Sequence, residues 1–216
     1  MGWIGSKCKR KKLRKSATWR GSPTATTKNE FTALLNKIKL SKERDIFYDL
    51  GCGYGKVCIW AAPKVKFSIG YENHHDRFKV ALREVEKSGF KNIMIRNRDF
   101  FLASYRRATV IYSMVDVGLH VMARINRQSR PGTMIVQYRR PNYPLKAKWI
   151  SGNYFLMKTP LQRTKNADDF AKILLGRRRA TIDDLFKHLG REERKYLKKE
   201  IREADKLWEG LFLKRS

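Results

Sequence analysis

Three glycines at alternate positions, directly after a run of apolar residues, constrain the fold of this chain more than any other feature. The run Ile46–Leu50 has the composition of a buried strand, and Gly51, Gly53 and Gly55 follow it. A helix is predicted next, at residues 56–62. A strand, a glycine-rich turn and a helix in this order are typical of the nucleotide-type loop of α/β proteins, where glycine lets a ligand approach the backbone.

The segments around this loop alternate between strand and helix patterns. Further strands are predicted at residues 66–72, 92–97, 109–114 and 133–138, and a hairpin at 147–151 and 153–158. Helices are predicted at residues 74–88 and 116–129, and before the first strand around the apolar stripe Phe31, Leu34, Leu35 and Ile38. This alternation favours an α/β fold with a mostly parallel sheet, closed by an antiparallel hairpin.

The pattern along the chain predicts three regions. Residues 1–20 form a basic arm, residues 21–160 the α/β domain, and residues 161–216 a helical extension packed on the core. In the extension, helices are predicted at 167–175, 181–189 and 191–213. The apolar seam of the last helix spans fewer than three heptads, which favours packing on its own domain over an intermolecular coiled coil. A substrate platform, a dimer surface and a brace all remain open as its role.

The chain carries a net charge of +29, from 49 Lys and Arg against 20 Asp and Glu. So strong an excess favours a polyanionic partner, DNA or RNA, over the role of a neutral metabolic enzyme. The basic residues are not confined to the arm, so the folded body must share in such a surface. The candidate contacts are Lys9, Arg10, Lys11, Lys12, Arg139, Arg140, Arg177, Arg178 and Arg179.

The three cysteines are too few and wrongly spaced for a disulfide framework or a zinc site, and the four histidines show no metal-binding spacing. No stretch approaches the ~18 apolar residues of a membrane-spanning helix. We therefore expect an intracellular protein without a metal or a transmembrane segment.

Acidic residues follow three successive predicted strands. Asp49 lies directly before the glycines, Glu72 ends the second strand, and Asp99 follows the third with Phe100 beside it. The carboxyl ends of parallel strands meet at one edge, where Glu72 can accept both hydroxyls of a ribose and Asp99 the amine of an adenine that Phe100 covers. The spacing G-x-G-x-G differs from the dinucleotide fingerprint, and Asp49 would repel a pyrophosphate. A ligand with a sulfonium and an ammonium group fits better.

With these motifs in this order, the sequence resembles the seven-strand Rossmann-type methyltransferases that use S-adenosylmethionine. The matching segments are Asp49–Gly55, Gly70–Glu72 and Asp99–Phe100. The resemblance implies S-adenosylmethionine as the cofactor. Its implied binding residues are Asp49, Gly51, Gly53, Gly55, Glu72, Asp99 and Phe100.

Within this group, residues 20–160 resemble the archaeal protein-lysine methyltransferases and the Dot-one (disruptor of telomeric silencing) histone-lysine methyltransferases. The segments that carry the resemblance are SPTATTKNEF, FYDLGCGYGKV, GYE, RDFF and PGTMIVQYRRP. The sequence departs from the eukaryotic members at Ser113-Met114, where they have an asparagine pair. The resemblance implies a basic, chromatin-type protein substrate and a cytoplasmic enzyme associated with the nucleoid or chromatin.

Three functions remain open from the sequence. They are a protein-lysine methyltransferase acting on DNA-bound or chromatin proteins, an rRNA or tRNA methyltransferase, and a non-enzymatic nucleic-acid binder that keeps the fold. DNA would reconcile a basic enzyme with a basic substrate, because both can bind one polyanion. Tyr112 and Tyr138 end the fourth and fifth strands and are candidate walls of a channel that desolvates the lysine amine. Ordinary packing on the sheet is the alternative role for both tyrosines.

Overall fold

A computed structural model describes residues 26–138 and 141–213, which include a seven-stranded sheet. The strands are β1 (Ile46–Leu50), β2 (Phe67–Glu72), β3 (Ile93–Asn97), β4 (Val110–Ser113), β5 (Met134–Tyr138), β6 (Lys148–Ser151) and β7 (Tyr154–Lys158). Their order is β3-β2-β1-β4-β5-β7-β6. Strands β1 to β5 are parallel, and β7 runs antiparallel to both β5 and β6. The prediction of a mostly parallel sheet with a closing hairpin is confirmed.

Seven α-helices accompany the sheet in the described part of the chain. They are α1 (Lys28–Ile38), α2 (Lys56–Ala61), α3 (His75–Ser88), α4 (Gly118–Gln128), α5 (Ala167–Leu175), α6 (Ile182–His188) and α7 (Arg191–Trp208). Short 3₁₀ turns lie at Ala62–Lys64 and Phe100–Leu102. The helix predicted over 191–213 is present over these bounds, but its last turn, Glu209–Leu213, is π-helical instead of α-helical. Gly210 lies in that segment and is a poor α-helix former.

The start of α1 is fixed by its own sequence. Thr27 caps the helix by accepting a hydrogen bond from the Glu30 backbone N–H at 3.2 Å, and the Glu30 carboxylate accepts one from the Thr27 N–H at 3.3 Å. Such a reciprocal capping box satisfies two backbone donors at the helix start. The helix then buries Phe31, Leu34, Leu35 and Ile38 as predicted.

The two faces of the sheet carry separate apolar cores. On one face, α1 and α2 pack on Phe47, Val110 and Val136 of the central strands. On the other, α4 packs together with the C-terminal helices α5, α6 and α7, and the buried Leu197 of α7 belongs to this second core. The C-terminal helices therefore extend the apolar core of the sheet instead of forming one of their own.

The strand register brings the ends of the central strands level with one another. Asp49 pairs with Gly70 on one side and with Tyr112 on the other, and Glu72 pairs with Asn97. The predicted site residues therefore share the carboxyl edge of the sheet, where open α/β sheets bind ligands. No helix within residues 26–138 and 141–213 has the length and apolar character needed to cross a membrane.

Candidate functional site

The glycine loop between β1 and α2 is held against the end of β2. The backbone N–H groups of Gly51 and Cys52 both donate to the Tyr71 carbonyl at 2.9 Å. Gly51 and Gly55 adopt left-handed φ values of 77° and 75°, which favour glycine over residues with a side chain. A Cβ built on Gly53 would meet no atom within 4 Å, so the space beside its Cα is open. The loop thus presents bare backbone at the sheet edge.

Gly70 on β2 allows this loop to lie so close to the sheet. A Cβ at Gly70 would fall 2.7 Å from Cys52 Sγ and 2.9 Å from Cys58 Sγ. Both distances are shorter than a carbon–sulfur contact allows, so a side chain here would push the loop outward. The sequence places Gly70 in the second motif, but its packing role depends on Cys52 and Cys58, which sequence analysis did not assign to the site.

Both carboxylate oxygens of Glu72 are held by backbone donors. The Gly53 N–H donates to Oε2 and the His74 N–H to Oε1, each at 2.9 Å. The side chain is buried at the end of β2, next to the glycine loop. Each carboxylate oxygen has a further lone pair, so the pair can accept two vicinal hydroxyl groups in a fixed orientation. The structure brings Glu72 and Gly53 into direct contact.

Asp49 is the most strongly perturbed acidic group of the site. Burial raises the pKa of its carboxyl from 3.8 to about 7; the Cys58 thiol opposes this rise and the negative charge of Glu72 adds to it. The Cys58 Sγ lies 3.8 Å from Asp49 Oδ2 and is a weak donor. The weak thiol donor offsets little of the cost of burying the Asp49 charge. A cationic ligand nearby is therefore favoured, because a positive charge stabilises the ionised carboxyl.

The third acidic residue caps a turn. Asp99 Oδ1 accepts from the Phe101 N–H at 2.8 Å, which fixes the 3₁₀ turn that carries Phe100. The Phe100 ring is partly buried and stacks on Phe101 with 5.5 Å between centroids. The Arg98 N–H donates to the Glu72 carbonyl at 3.1 Å. This hydrogen bond holds the backbone next to Asp99 against the end of β2.

Buried hydroxyls occupy the sheet edge on the other side of Asp49. Tyr112 of β4 is 1% exposed, and its Oη lies 2.6 Å from Thr26 Oγ1 and 3.4 Å from Tyr154 Oη. Tyr138 at the end of β5 is half-buried, with its ring 5.3 Å from that of Tyr154. Burial raises the pKa of the Tyr112 hydroxyl above its usual value, so this group stays protonated. Thr26 and Tyr154 were not identified from the sequence.

A buried amide joins the loops that follow β4 and β5 to the C-terminal helix α7. Asn142 Nδ2 donates to Asp116 Oδ1 at 3.0 Å and to Glu200 Oε1 at 3.4 Å. Asn142 is 3% exposed and Glu200 is 8% exposed, so both side chains lie inside the protein. Val115, next to Asp116, would contact a Cβ on Gly51 at 3.4 Å. Helix α7 therefore reaches the same sheet edge as the glycine loop.

The predicted nucleic-acid contacts are only partly described by the structure. Arg177, Arg178 and Arg179 are exposed in the connection between α5 and α6. Lys9, Arg10, Lys11 and Lys12 of the arm, and Arg139 and Arg140 after β5, lie outside the described residues.

The glycine loop and the three acidic residues around it fit a nucleoside with a cationic substituent. Glu72 offers two oriented acceptors for ribose hydroxyls, Asp49 a negative charge, and Asp99 a carboxylate beside an aromatic ring. Within the part of the chain that the structure describes, no group of three or more His, Cys, Asp or Glu side chains could hold a metal ion.

Comparison with known proteins gives relatives in sequence and in fold. No protein-family model matches the chain. A curated protein-lysine N-methyltransferase of Saccharolobus islandicus (strain REY15A) is 33% identical over 110 residues, which cover 49% of this chain and 68% of that protein.

Solved structures share the fold at lower identity. An RNA methyltransferase from Salinibacter ruber, in complex with S-adenosyl-L-homocysteine, has a TM-score of 0.57 at 22% identity and covers 66% of this chain and 98% of its own. A precorrin-6y C5,15-methyltransferase from Geobacter metallireducens GS-15 has a TM-score of 0.50 at 12% identity, over 69% and 96% of the two chains.

Proposed function

This chain belongs to the family of S-adenosylmethionine-dependent methyltransferases that includes the protein-lysine N-methyltransferase of Saccharolobus islandicus, and we propose that its methyl acceptor is the amino group of a protein lysine. The sequence identity of 33% to that relative, over 68% of its length, carries the choice of acceptor. The glycine loop with its three carboxylates supports the choice of cofactor.

The residues that hold the cofactor in this proposal are those of the loop and its acidic neighbours. When bound, S-adenosylmethionine supplies an electrophilic methyl group on a positively charged sulfur. Glu72 orients the ribose, since both of its oxygens are already fixed by the Gly53 and His74 N–H groups. Asp49 balances the cationic end of the ligand, and Asp99 with Phe100 binds the adenine. Fixed partners of this kind position the reacting atoms in advance.

The acceptor amine approaches, in this proposal, from the side of β4 and β5. A lysine must lose a proton before its amine can attack, and an apolar, aromatic surrounding lowers its pKa. Tyr138, half-buried beside Tyr154, is the proposed wall of the channel. Tyr112, the other candidate wall from the sequence, is 1% exposed and contacts Tyr154, so in this proposal it packs behind the wall. Because burial raises the pKa of both Tyr112 and Tyr154, these side chains stay neutral and leave the channel wall uncharged.

The proposed substrates are DNA-bound or chromatin proteins. A free basic protein would be repelled by a chain of net charge +29, whereas DNA can hold both proteins close together. Lys9–Lys12, Arg139, Arg140 and the exposed Arg177–Arg179 are the proposed DNA contacts. We expect DNA to stimulate methylation of a small basic DNA-binding protein, and the stimulation to fade as salt is added.

The test of the acceptor uses cofactor labelled in its methyl group. The full chain is incubated with a host extract, and the products are treated with protease or with ribonuclease. Label that survives ribonuclease, and a mass increase of one methyl group on lysine-containing peptides, are the expected results. Label lost with ribonuclease would overturn the lysine proposal in favour of an RNA substrate. At a cofactor concentration below the wild-type Kd, the variant Glu72→Gln should lower labelling by about tenfold, and Glu86→Gln, an exposed carboxylate on α3, should not.

A further inference from the structure

The outer side of helix α7 carries a row of exposed cations. Lys195, Lys199, Arg202 and Lys206, here called the cationic stripe, follow one another at steps of four, three and four residues. At 3.6 residues per turn these steps place all four within an arc of about 60° on one side of the helix. The rise per residue makes the stripe about 16 Å long. Arg191 and Lys198 extend the same arc on one flank.

The cations of the stripe repel one another along the helix. Lys195 and Lys199, and also Arg202 and Lys206, are like charges four residues apart, a spacing that destabilises a helix. None of the four takes part in an ion pair with another residue of the described part of the chain. Two acidic residues of α7 are engaged elsewhere, because Asp205 pairs with Arg163 and Glu200 is buried. A third, Glu192, lines a groove with Lys195, Lys199 and Arg202 at one border of the stripe.

The opposite side of α7 attaches the helix to the site. Leu197 and Ala204 are buried in the core, and Glu200 accepts from Asn142 in the loop after β5. Asn142 also donates to Asp116 in the loop after β4. The inward side of α7 thus lies at the carboxyl edge of β4 and β5, and the stripe lies one helix diameter, about 10 Å, further out.

We propose that the cationic stripe of α7 docks the phosphate backbone of duplex DNA beside the active site. The purpose of the docking, which is to bring the enzyme to DNA-bound substrates, rests on the proposed function. The binding of DNA itself rests on the stripe alone. A straight, rigid row of cations matches the evenly charged backbone of a duplex. A single strand is held in addition by a series of aromatic side chains that stack on its successive bases. Beside the stripe, one aromatic side chain, Tyr196, lines a groove together with Lys195, Lys199 and Arg202.

The test compares two variants that each lose four positive charges. The stripe variant is Lys195→Gln, Lys199→Gln, Arg202→Gln and Lys206→Gln. The control variant removes four exposed cations on and after α3, namely Lys79→Gln, Arg83→Gln, Lys87→Gln and Lys91→Gln. Fluorescence anisotropy with a short labelled DNA duplex is measured over a range of salt concentrations.

We expect the stripe variant to bind the duplex at least about tenfold more weakly at low salt, with the slope of log K against log salt reduced by about 3–4. The control variant should lose markedly less. Equal losses in the two variants would overturn the proposal, because net charge alone would then explain binding. The proposal would also be overturned if the stripe variant lost more affinity for a single-stranded RNA or for phosphatidylserine vesicles than for the duplex. A loss of self-association in the stripe variant, measured by sedimentation, would overturn it as well, because the stripe would then be a contact between copies of the chain.

Methylation separates this proposal from the proposed function. The stripe variant should methylate a DNA-free protein substrate as the wild type does, and should lose the stimulation that DNA provides. If wild-type protein methylates no protein at all, the proposed function fails while the anisotropy result still decides the docking surface. Cofactor binding by the stripe variant, measured by calorimetry, should equal that of the wild type and shows that the variant is folded.

Discussion

The carboxyl edge of the sheet has two halves that are built in different ways. The cofactor half comprises Asp49–Gly55, Glu72 and Asp99, and its contacts join residues close in sequence, such as Gly53 and Glu72, 19 positions apart. The acceptor half comprises Tyr112, Asp116, Tyr138, Asn142 and Tyr154. It also includes contacts between distant segments: Tyr112 meets Thr26 across 86 positions, and Asn142 meets Glu200 across 58. The hydrogen bonds that fix Glu72 are thus local, whereas the acceptor half also depends on the segment before α1 and on helix α7.

The largest effect that we expect within the cofactor half is a change of folding stability with pH, caused by the protonation of Asp49. Its pKa is about 7 in the folded protein and 3.8 without burial. Between these values the folded protein holds a proton that the unfolded chain has lost, so stability falls as the pH rises. From about pH 5 to about pH 8 the loss is on the order of 3 kcal/mol. Asp49→Asn should remove this slope and make the ligand-free protein more stable than wild type at about pH 8.

Cofactor binding should show the opposite dependence. A cation beside Asp49 favours the ionised carboxyl, so wild-type affinity should increase as the pH rises through about 7. Asp49→Asn should bind weakly with no such increase. Chemical denaturation and calorimetry at several pH values measure the two effects. Asp76→Asn, an exposed carboxyl at the start of α3, is the control and should change neither slope. An unchanged stability slope in Asp49→Asn would contradict the assignment.

Gly70→Ala should have the next largest effect. The new Cβ would lie 2.7 Å from Cys52 Sγ, so the glycine loop must move away from β2. Overpacking of this kind costs about 2 kcal/mol of stability. Cofactor affinity should fall along with stability, since the loop is displaced. Gly210→Ala, where a Cβ would meet no atom within 4 Å, is the matched control. A variant that loses stability but keeps cofactor affinity would show that the loop is not part of the binding site.

Glu72→Gln should weaken cofactor binding by about 1.5 kcal/mol, or roughly tenfold. The amide keeps the shape of the side chain but replaces one of the two acceptors that Gly53 and His74 orient. Isothermal titration calorimetry measures the loss, with Glu86→Gln as the control. Affinity equal to that of the control would remove Glu72 from the cofactor half.

Tyr112→Phe should have the smallest effect of the four. It removes the hydroxyl that lies 2.6 Å from Thr26 Oγ1, which costs about 1 kcal/mol of stability in urea denaturation. Cofactor affinity should be unchanged, because Tyr112 belongs to the acceptor half. Tyr196→Phe, on an exposed side chain of α7 outside the cofactor half, should change neither quantity. If Tyr112→Phe weakened cofactor binding as much as Glu72→Gln does, the two halves could not be treated as separate.

The same division explains what could be predicted from the sequence. Asp49, Glu72 and Asp99 follow strands whose apolar runs are visible, and parallel strands end at one edge, so their neighbourhood could be predicted. Tyr112 and Tyr138 could be placed at strand ends but not in a contact network. Thr26 reaches Tyr112 from 86 positions away, and the contact of Tyr138 with Tyr154 depends on the register between β5 and β7. The contact of Asn142 with Glu200 depends on how α7 packs, which no local pattern specifies.

The two sides of helix α7 have different roles, and this decides which of its residues can be substituted while the fold is kept. The inward residues Leu197, Glu200 and Ala204 fix the helix to the sheet edge. The four cations of the stripe are exposed and form no ion pair with another residue of the described ranges. Substitutions on the outward side are therefore expected to change what the surface binds while the catalytic body stays folded. A laboratory could exchange that side for another charge pattern and redirect the enzyme to a different surface while its chemistry stays intact.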